Sequence, residues 1–145
     1  MYRRALNRPL ILVAAVAAAL MPAAAPAQRV SDRHTFLKGV QDKDGTKATD
    51  MINDSTLRII DTRDNATGET ALHIVVKRRD MEWLPFLLAK GANPDVEDRQ
   101  GETPLMAAAQ LRFIDGMREL IDRKGNVDKA NRGGETPLVR AVQLN

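Results

Sequence analysis

The chain has 145 residues, a length that suits one domain, and it carries 22 basic and 19 acidic side chains. It contains no cysteine, which excludes disulfides, thiolate catalysis and thiolate metal sites, so stability has to come from packing. Only five aromatic residues occur, and this favours a stack of small helices over a sandwich with a large aromatic core.

The segment 1–27 has the pattern of an export signal. A basic stretch comes first and contains Arg3, Arg4 and Arg8. An uninterrupted apolar run over 10–20 follows, and Ala25-Pro26-Ala27 supplies the small residues of a signal-peptidase site. We expect Sec export with cleavage after Ala27, because cleavage after Ala25 would place Pro26 beside the scissile bond. A membrane span needs roughly 20 apolar residues, so the run is short, but retention as an uncleaved anchor stays open.

Removal of this signal changes the charge balance. All three arginines precede Ala27, so the remaining chain carries 19 basic and 19 acidic side chains and a formal net charge of zero. No basic field then remains to favour nucleic-acid binding. The local cluster Lys77-Arg78-Arg79 is followed at once by Asp80 and Glu82, which indicates a solvated helix end and not a phosphate site.

The segment after the signal contains two short apolar patterns of helical spacing. Residues 28–35 are polar and are expected to form a flexible lead-in. Apolar residues then recur at helical spacing over 35–41 and 47–52, with Asp44-Gly45 as the turn between them. A long connection over 53–67 follows.

One motif then recurs at a constant interval, with its glycines at positions 68, 101 and 134. It reads Gly68-Glu69-Thr70-Ala71-Leu72-His73, Gly101-Glu102-Thr103-Pro104-Leu105-Met106 and Gly134-Glu135-Thr136-Pro137-Leu138-Val139. The threonines suit the N-cap position of a helix, and the prolines suit the first helical position, where no N–H is needed. Residues at equivalent positions of the repeats form a column, and a second column at the same period consists of Asn65, Asp98 and Asn131. Their short polar side chains can accept hydrogen bonds from the backbone of their own turn.

The first two copies of the motif each predict an inner helix followed by an outer helix, and the third copy predicts an inner helix alone. In the first copy these span 70–78 and 81–90, and Pro85 indicates that the outer helix starts late or bends. Gly91 suits a left-handed position after that helix. The leucines Leu72, Leu105 and Leu138 are expected to point inward, although no following outer helix is expected to cover Leu138. In the next outer helix the expected packing stripe consists of Ile114, Met117, Leu120 and Ile121.

The motif and its period resemble those of the ankyrin-repeat family. This resemblance implies an all-α repeat fold, a solenoid of helix-turn-helix units joined by finger loops, over residues 36–145. It divides into a degenerate repeat at 36–66, repeats at 67–99 and 100–132, and a partial repeat at 133–145. In this family the histidine at the position of His73 ties backbone groups together. The chain stops within an expected inner helix, which we interpret as truncation, with docking of that helix on a partner as the alternative.

No pattern for catalysis is present in the sequence. Only two histidines occur, His34 and His73, and there is neither a Gly-rich phosphate loop nor an H-E-x-x-H motif, so no enzyme activity, cofactor or metal site is expected. The repeated Glu69, Glu102 and Glu135 would be spaced one repeat apart along the stack. They therefore indicate a solvated or partner-facing column and not a set of catalytic carboxylates.

The resemblance implies that the chain binds another protein on the concave face formed by the finger tips and inner helices. The residues expected there are Glu69, Lys77, Arg78, Arg99, Gln100, Glu102, Gln110, Leu111, Arg132 and Glu135. Seven of them have flexible charged or amide side chains whose replacement should disturb few core contacts, namely Lys77, Arg78, Arg99, Gln100, Glu102, Gln110 and Arg132. We expect a monomeric protein-interaction module in the periplasm, with no nucleic acid and no stable membrane insertion after signal cleavage. The alternative is a membrane-tethered accessory or protective factor for an envelope enzyme, for instance in oxidative stress, which rests on analogy alone.

Overall fold

The computed structural model describes residues 26–54 and 59–143 of the chain. The expected export signal therefore lies almost entirely outside the described residues. Within the described ranges the secondary structure consists of helices without strands. The helices are α1 (Pro26–Gln41), α2 (Gly45–Asn53), α3 (Ala71–Lys77), α4 (Trp83–Ala89), α5 (Pro104–Gln110), α6 (Ile114–Asp122) and α7 (Pro137–Gln143).

The helices pack as a stack of antiparallel pairs. The inner helices α1, α3, α5 and α7 lie against one another in chain order, while α2, α4 and α6 each pack on the inner helix that precedes them. The outer helix α6 also packs on α4. This arrangement confirms the predicted all-α repeat solenoid.

The repeated Thr-Pro pair starts the inner helices as predicted. The hydroxyl of Thr103 accepts a hydrogen bond from the N–H of Met106 at 3.4 Å, and Pro104 is the first residue of α5. The hydroxyl of Thr136 accepts in the same way from Val139 at 3.3 Å. The cap satisfies one of the N–H groups that the first turn of a helix leaves without an intrahelical partner.

The two later finger loops precede α5 and α7, and each is closed by a short polar side chain. The Oδ1 atom of Asp98 accepts from the N–H groups of Gln100 and Glu102 at 2.8 and 2.9 Å. In the next loop, Asn131 accepts from Gly133 and Glu135 at 2.9 and 3.0 Å. These bonds confirm the predicted turn role of that column in two of its three copies.

In the first two copies of the motif, the glycine is required by the close approach of the next finger. Gly101 has φ of +80°, and a Cβ atom there would lie 2.9 Å from the backbone nitrogen of Arg132. Gly68 has φ of +77° and meets Arg99 in the same way. A side chain at either position would suffer backbone strain and would also separate adjacent repeats.

The core follows the repeats from α1 to α6. Leu72 and Leu105 are each 1% exposed at equivalent positions of α3 and α5, as predicted, and Leu120 of α6 is fully buried. The rings of Trp83 and Phe86 on α4 meet edge to face, with centroids 5.8 Å apart. The stack is thus held mainly by aliphatic contacts between neighbouring repeats.

The sequence prediction was wrong about the packing of the outer helix α6. Leu138 of α7 is 70% exposed, which agrees with the expectation that no outer helix covers it. Ile114 and Ile121 of α6 are exposed too, Ile114 by 59%, although both were expected in the packing stripe. Within residues 26–54 and 59–143 no helix covers α6 as α6 covers α4, so these side chains meet solvent. The helical spacing placed them on the correct face, but burial also requires a neighbour.

The structure also differs from the sequence prediction near the N-terminus and at α4. Residues 28–35, expected as a flexible lead-in, belong to α1. They contain neither glycine nor proline, so a helix that is held by the buried Phe36 and Val40 can extend backward through them. The outer helix α4 begins at Trp83 and not at Met81, in agreement with the late start that Pro85 indicated.

Candidate functional site

The candidate surface begins at the end of the inner helix α5, where the side chains change from buried to exposed. Residues Pro104 to Ala109 of α5 are buried, and the next residue, Gln110, is exposed. In the finger loop before α5, Arg99 and Gln100 are exposed between the buried Asp98 and Gly101. Arg132 occupies the same place in the following finger and is exposed too.

Neighbouring fingers are joined through their backbones. The N–H of Arg99 donates to the carbonyl of Thr67 at 3.0 Å, and the N–H of Arg132 donates to the carbonyl of Gln100 at 3.4 Å. The guanidinium of Arg99 also donates to the carbonyl of Asn65. The finger tips therefore form one continuous edge of the stack, with their longer side chains at the surface.

Two of the three glutamates in the repeated column are joined by an arginine that the sequence analysis did not single out. The guanidinium of Arg140 on α7 lies 2.8 Å from a carboxylate oxygen of Glu102 and 2.6 Å from one of Glu135. Hydrogen bonds from the Asn131 amide and from Arg140 lower the pKa of Glu135 below its usual range. Burial opposes ionisation of Arg140, but the two carboxylates outweigh it and raise its pKa. The two glutamates are thus fixed across adjacent repeats.

The remaining glutamate of the column, Glu69, forms its ion pair within its own repeat. Its carboxylate accepts from the ammonium group of Lys77 at the end of α3. Both residues were predicted to face a partner, and the pair leaves Lys77 half-exposed. Ion pairs at a surface of this kind contribute only about 0–1 kcal/mol, so the pair can be exchanged for contacts with another molecule.

Arg78 has a structural position that the sequence analysis did not predict. Its Nη1 atom donates to the carbonyls of Val40 and Gln41 at 2.8 and 3.2 Å, at the C-terminal end of α1. Its Nη2 atom lies 2.9 Å from the carboxylate of Asp80. The sequence analysis expected its replacement to disturb few core contacts and did not foresee these polar contacts. Arg78 joins α1 to the turn between α3 and α4, and it complements the negative end of the α1 dipole.

Asp80 organises the same turn. Its Oδ1 atom accepts from the N–H groups of Glu82 and Trp83, both at 3.0 Å. Burial opposes ionisation of Asp80, but these N–H groups and the Arg78 guanidinium outweigh it and lower the pKa of the carboxyl.

Leu111 was also predicted to face a partner. Its side chain is half-buried, and its backbone carbonyl accepts a hydrogen bond from the guanidinium of Arg79.

A groove of about 520 Å³ opens beside the finger loops. Its lining consists of Arg33, Asp61, Thr62, Arg63, Asp64, Asn65, Gly68, Asp98, Arg99 and Arg132. Among these, sequence analysis placed only Arg99 and Arg132 in the binding surface. It missed Arg33 and Arg63, because neither residue belongs to the set of positions that recur in every repeat. Folding places both of them beside the later finger loops.

Among the described residues there is no group of three or more histidine, cysteine or carboxylate side chains that could hold a metal ion. In the same ranges, no helix has the length and apolar character that crossing a bilayer requires.

The fold defines the class of this protein. A family model described as ankyrin repeats in three copies matches residues 72–145. The chain belongs to the ankyrin-repeat family, whose domains are generally protein–protein interaction modules. None of the curated proteins compared with the chain matches it.

Proposed function

We propose that this chain is an exported, non-enzymatic binding module that holds another protein on its concave face. The observation that carries the proposal is the division of the central repeat into a buried helix and exposed side chains at the helix end and in the finger loops. In α5, Pro104 to Ala109 are buried, whereas Gln110 and the finger residues Arg99 and Arg132 are exposed. Side chains at this surface can therefore serve recognition without loss of the stack.

Location in the periplasm forms part of this proposal and is supported by the residue pattern of positions 1–27. A module of this kind works by placing its partner and needs no reacting group of its own.

The test compares two sets of substitutions in a capture experiment from periplasmic extract. The concave-face variant combines Arg99→Ala, Gln110→Ala and Arg132→Ala, and it should lose the captured protein because interface hot spots favour arginine. Its melting midpoint should stay close to that of the wild type, since exposed positions usually contribute within about 0.5 kcal/mol.

The matched control changes the outer helices through Glu82→Ala and Arg118→Ala. Glu82 is exposed, and within the described part of the chain the only ion pair of Arg118 is a long one with Asp115, at 3.7 Å. This variant should capture the partner as the wild type does. Loss of capture in the outer-helix variant alone would place the partner on the convex side and contradict the proposal.

A further inference from the structure

We propose that the groove beside the finger loops binds an acidic peptide segment of the partner, through Arg33, Arg63, Arg99 and Arg132. This inference rests on the proposed function, because it specifies the chemistry of what the module holds. The four arginines come from different parts of the stack: Arg33 lies on α1, and the other three lie in or beside successive finger loops. A ligand that contacts all of them has to extend along the stack.

The arginines keep their hydrogen-bonding capacity for a ligand. Arg33, Arg63 and Arg132 form no ion pair with any residue in the described ranges 26–54 and 59–143. Arg99 uses one guanidinium nitrogen for the carbonyl of Asn65. A guanidinium offers five N–H donors, so even Arg99 retains donors for a carboxylate.

The carboxylates of the groove, by contrast, are already occupied by backbone donors. Asp61 accepts from the N–H of Asn93 at 2.8 Å. Asp64 accepts from the N–H groups of Ala66 and Thr67 at 2.8 and 2.9 Å, and these bonds lower the pKa of its carboxyl. Asp98 accepts from two N–H groups of its own finger loop. These aspartates shape the loops and leave the arginines as the groups that meet a ligand.

The composition of the groove favours separate carboxylates over a phosphate chain. The groove is lined by three aspartates as well as four arginines, and the carboxylates of those aspartates would repel a continuous row of phosphates. Individual Asp or Glu side chains of a peptide can instead pair with one guanidinium each, in the bidentate geometry that carboxylates share with arginine. An extended acidic peptide meets both conditions.

The test uses two fluorescein-labelled peptides of equal length, one alternating Glu and Gly and the other alternating Gln and Gly. Binding to the purified full chain is followed by fluorescence anisotropy at low and at physiological salt. The Glu peptide should bind roughly tenfold or more tightly than the Gln peptide, since each charge-assisted hydrogen bond contributes about 1.5–3 kcal/mol. The affinity should fall as salt is added.

The groove variant combines Arg33→Gln with Arg63→Gln, two exposed positions outside the concave-face variant. It should weaken binding of the Glu peptide by about tenfold and keep the wild-type melting curve. The matched control combines Lys47→Gln with Arg118→Gln, which removes the same charge from the outer helices and should leave the affinity within about twofold.

Three results would overturn the proposal. These are equal binding of both peptides, equal weakening in the control variant, and tighter binding of a single-stranded oligothymidylate through the same arginines. The capture experiment separates the two levels of inference. If the Arg33 and Arg63 variant still captures the partner while the concave-face variant does not, the binding function stands and the acidic groove is rejected.

Discussion

At the scale of single residues, His73 connects two repeats through both of its ring nitrogens. The N–H of Thr70 donates to Nδ1 at 3.2 Å, so Nδ1 is unprotonated and Nε2 carries the hydrogen. Nε2 donates in turn to the carbonyl of Glu102 in the next finger at 3.0 Å. The ring is fully buried, and the structure thus gives this histidine the backbone-tying role that the family resemblance implied.

The neutral state of His73 makes the stability of the protein depend on pH. Burial lowers the pKa of His73 below its ordinary value of 6.5, although the Glu102 carbonyl, Asp98 and Glu69 oppose this shift. In the unfolded chain the ring binds a proton more readily, so its contribution to stability is complete above about pH 6.5 and declines as the pH falls below that value. Protonation would also remove the Nδ1 lone pair that accepts from Thr70.

Urea unfolding at several pH values between about 7.5 and 5.5 tests this dependence. The wild type should lose stability over this interval, and His73→Gln should be less stable at pH 7.5 but show a much smaller change. The exposed His34 provides the control, because His34→Gln should keep the wild-type slope. A His73→Gln variant with an unchanged slope would assign the pH dependence to another group.

At the scale of helices and loops, equivalent positions of the repeat differ according to their neighbours. Leu105 of α5 is 1% exposed between α3 and α7, whereas Leu138, at the same position of the next motif, is 70% exposed. Sequence assigns both the same role, because a motif position fixes the direction of a side chain but does not supply a contact.

This pair gives a stability prediction with its own internal control. Leu105→Ala should destabilise the chain by roughly 2–5 kcal/mol, because truncation of a buried leucine loses packing and leaves a cavity. Leu138→Ala should change the free energy of unfolding by less than about 0.5 kcal/mol. Chemical denaturation measures both values. Equal effects of the two substitutions would show that the final motif is packed like the central one.

The sequence allowed prediction of those features of the fold that depend on local chemistry. Thr103 and Pro104 start α5, and Gly91 with φ of +90° follows α4, because capping and left-handed backbone depend on only a few adjacent residues. The first finger shows the limit of that approach. In that finger, Asp64 closes the loop and Asn65 does not. The N–H of Asp64 bonds to the carbonyl of Glu69, so this loop is one residue longer than the equivalent loops that Asp98 and Asn131 close.

The candidate site could be predicted from the sequence less completely than the fold. Arg140 occupies the position that corresponds to the buried Ala107 one repeat earlier, so no column indicated that it would join Glu102 and Glu135. Likewise, Arg33 was assigned to a lead-in and lies on α1. Such pairings depend on how repeats stack, which the spacing of residues within one repeat does not specify.

At the scale of the whole molecule, hydrogen bonds from side chain to backbone also join neighbouring repeats along a second edge. The carboxylate of Asp61 accepts from the N–H of Asn93 at 2.8 Å, and that of Asp95 accepts from the N–H of Asn126 at 2.7 Å. Together with the finger contacts, these bonds hold each repeat at two edges. We expect such coupling between nearest neighbours to make the stack unfold as a unit and to give the proposed binding surface a fixed shape.

The proposed export is compatible with this stack. Cleavage after Ala27 would remove Pro26 and Ala27 from the first turn of α1 and would leave the buried Phe36 and Val40 in place. It would also remove three arginines and bring the formal net charge to zero. The protein released by osmotic shock should therefore be folded and should begin at Gln28.

Intact-mass measurement of the released protein tests this start site. Ala27→Leu should block processing, because signal peptidase accepts small residues at its cleavage site, whereas Ala23→Leu makes the same change outside the site and should be processed normally. The blocked precursor should stay in the membrane fraction through its apolar run over 10–20. Wild-type protein that is found intact in the membrane fraction would instead support the uncleaved anchor, and the binding surface would then act at the membrane rather than free in the periplasm.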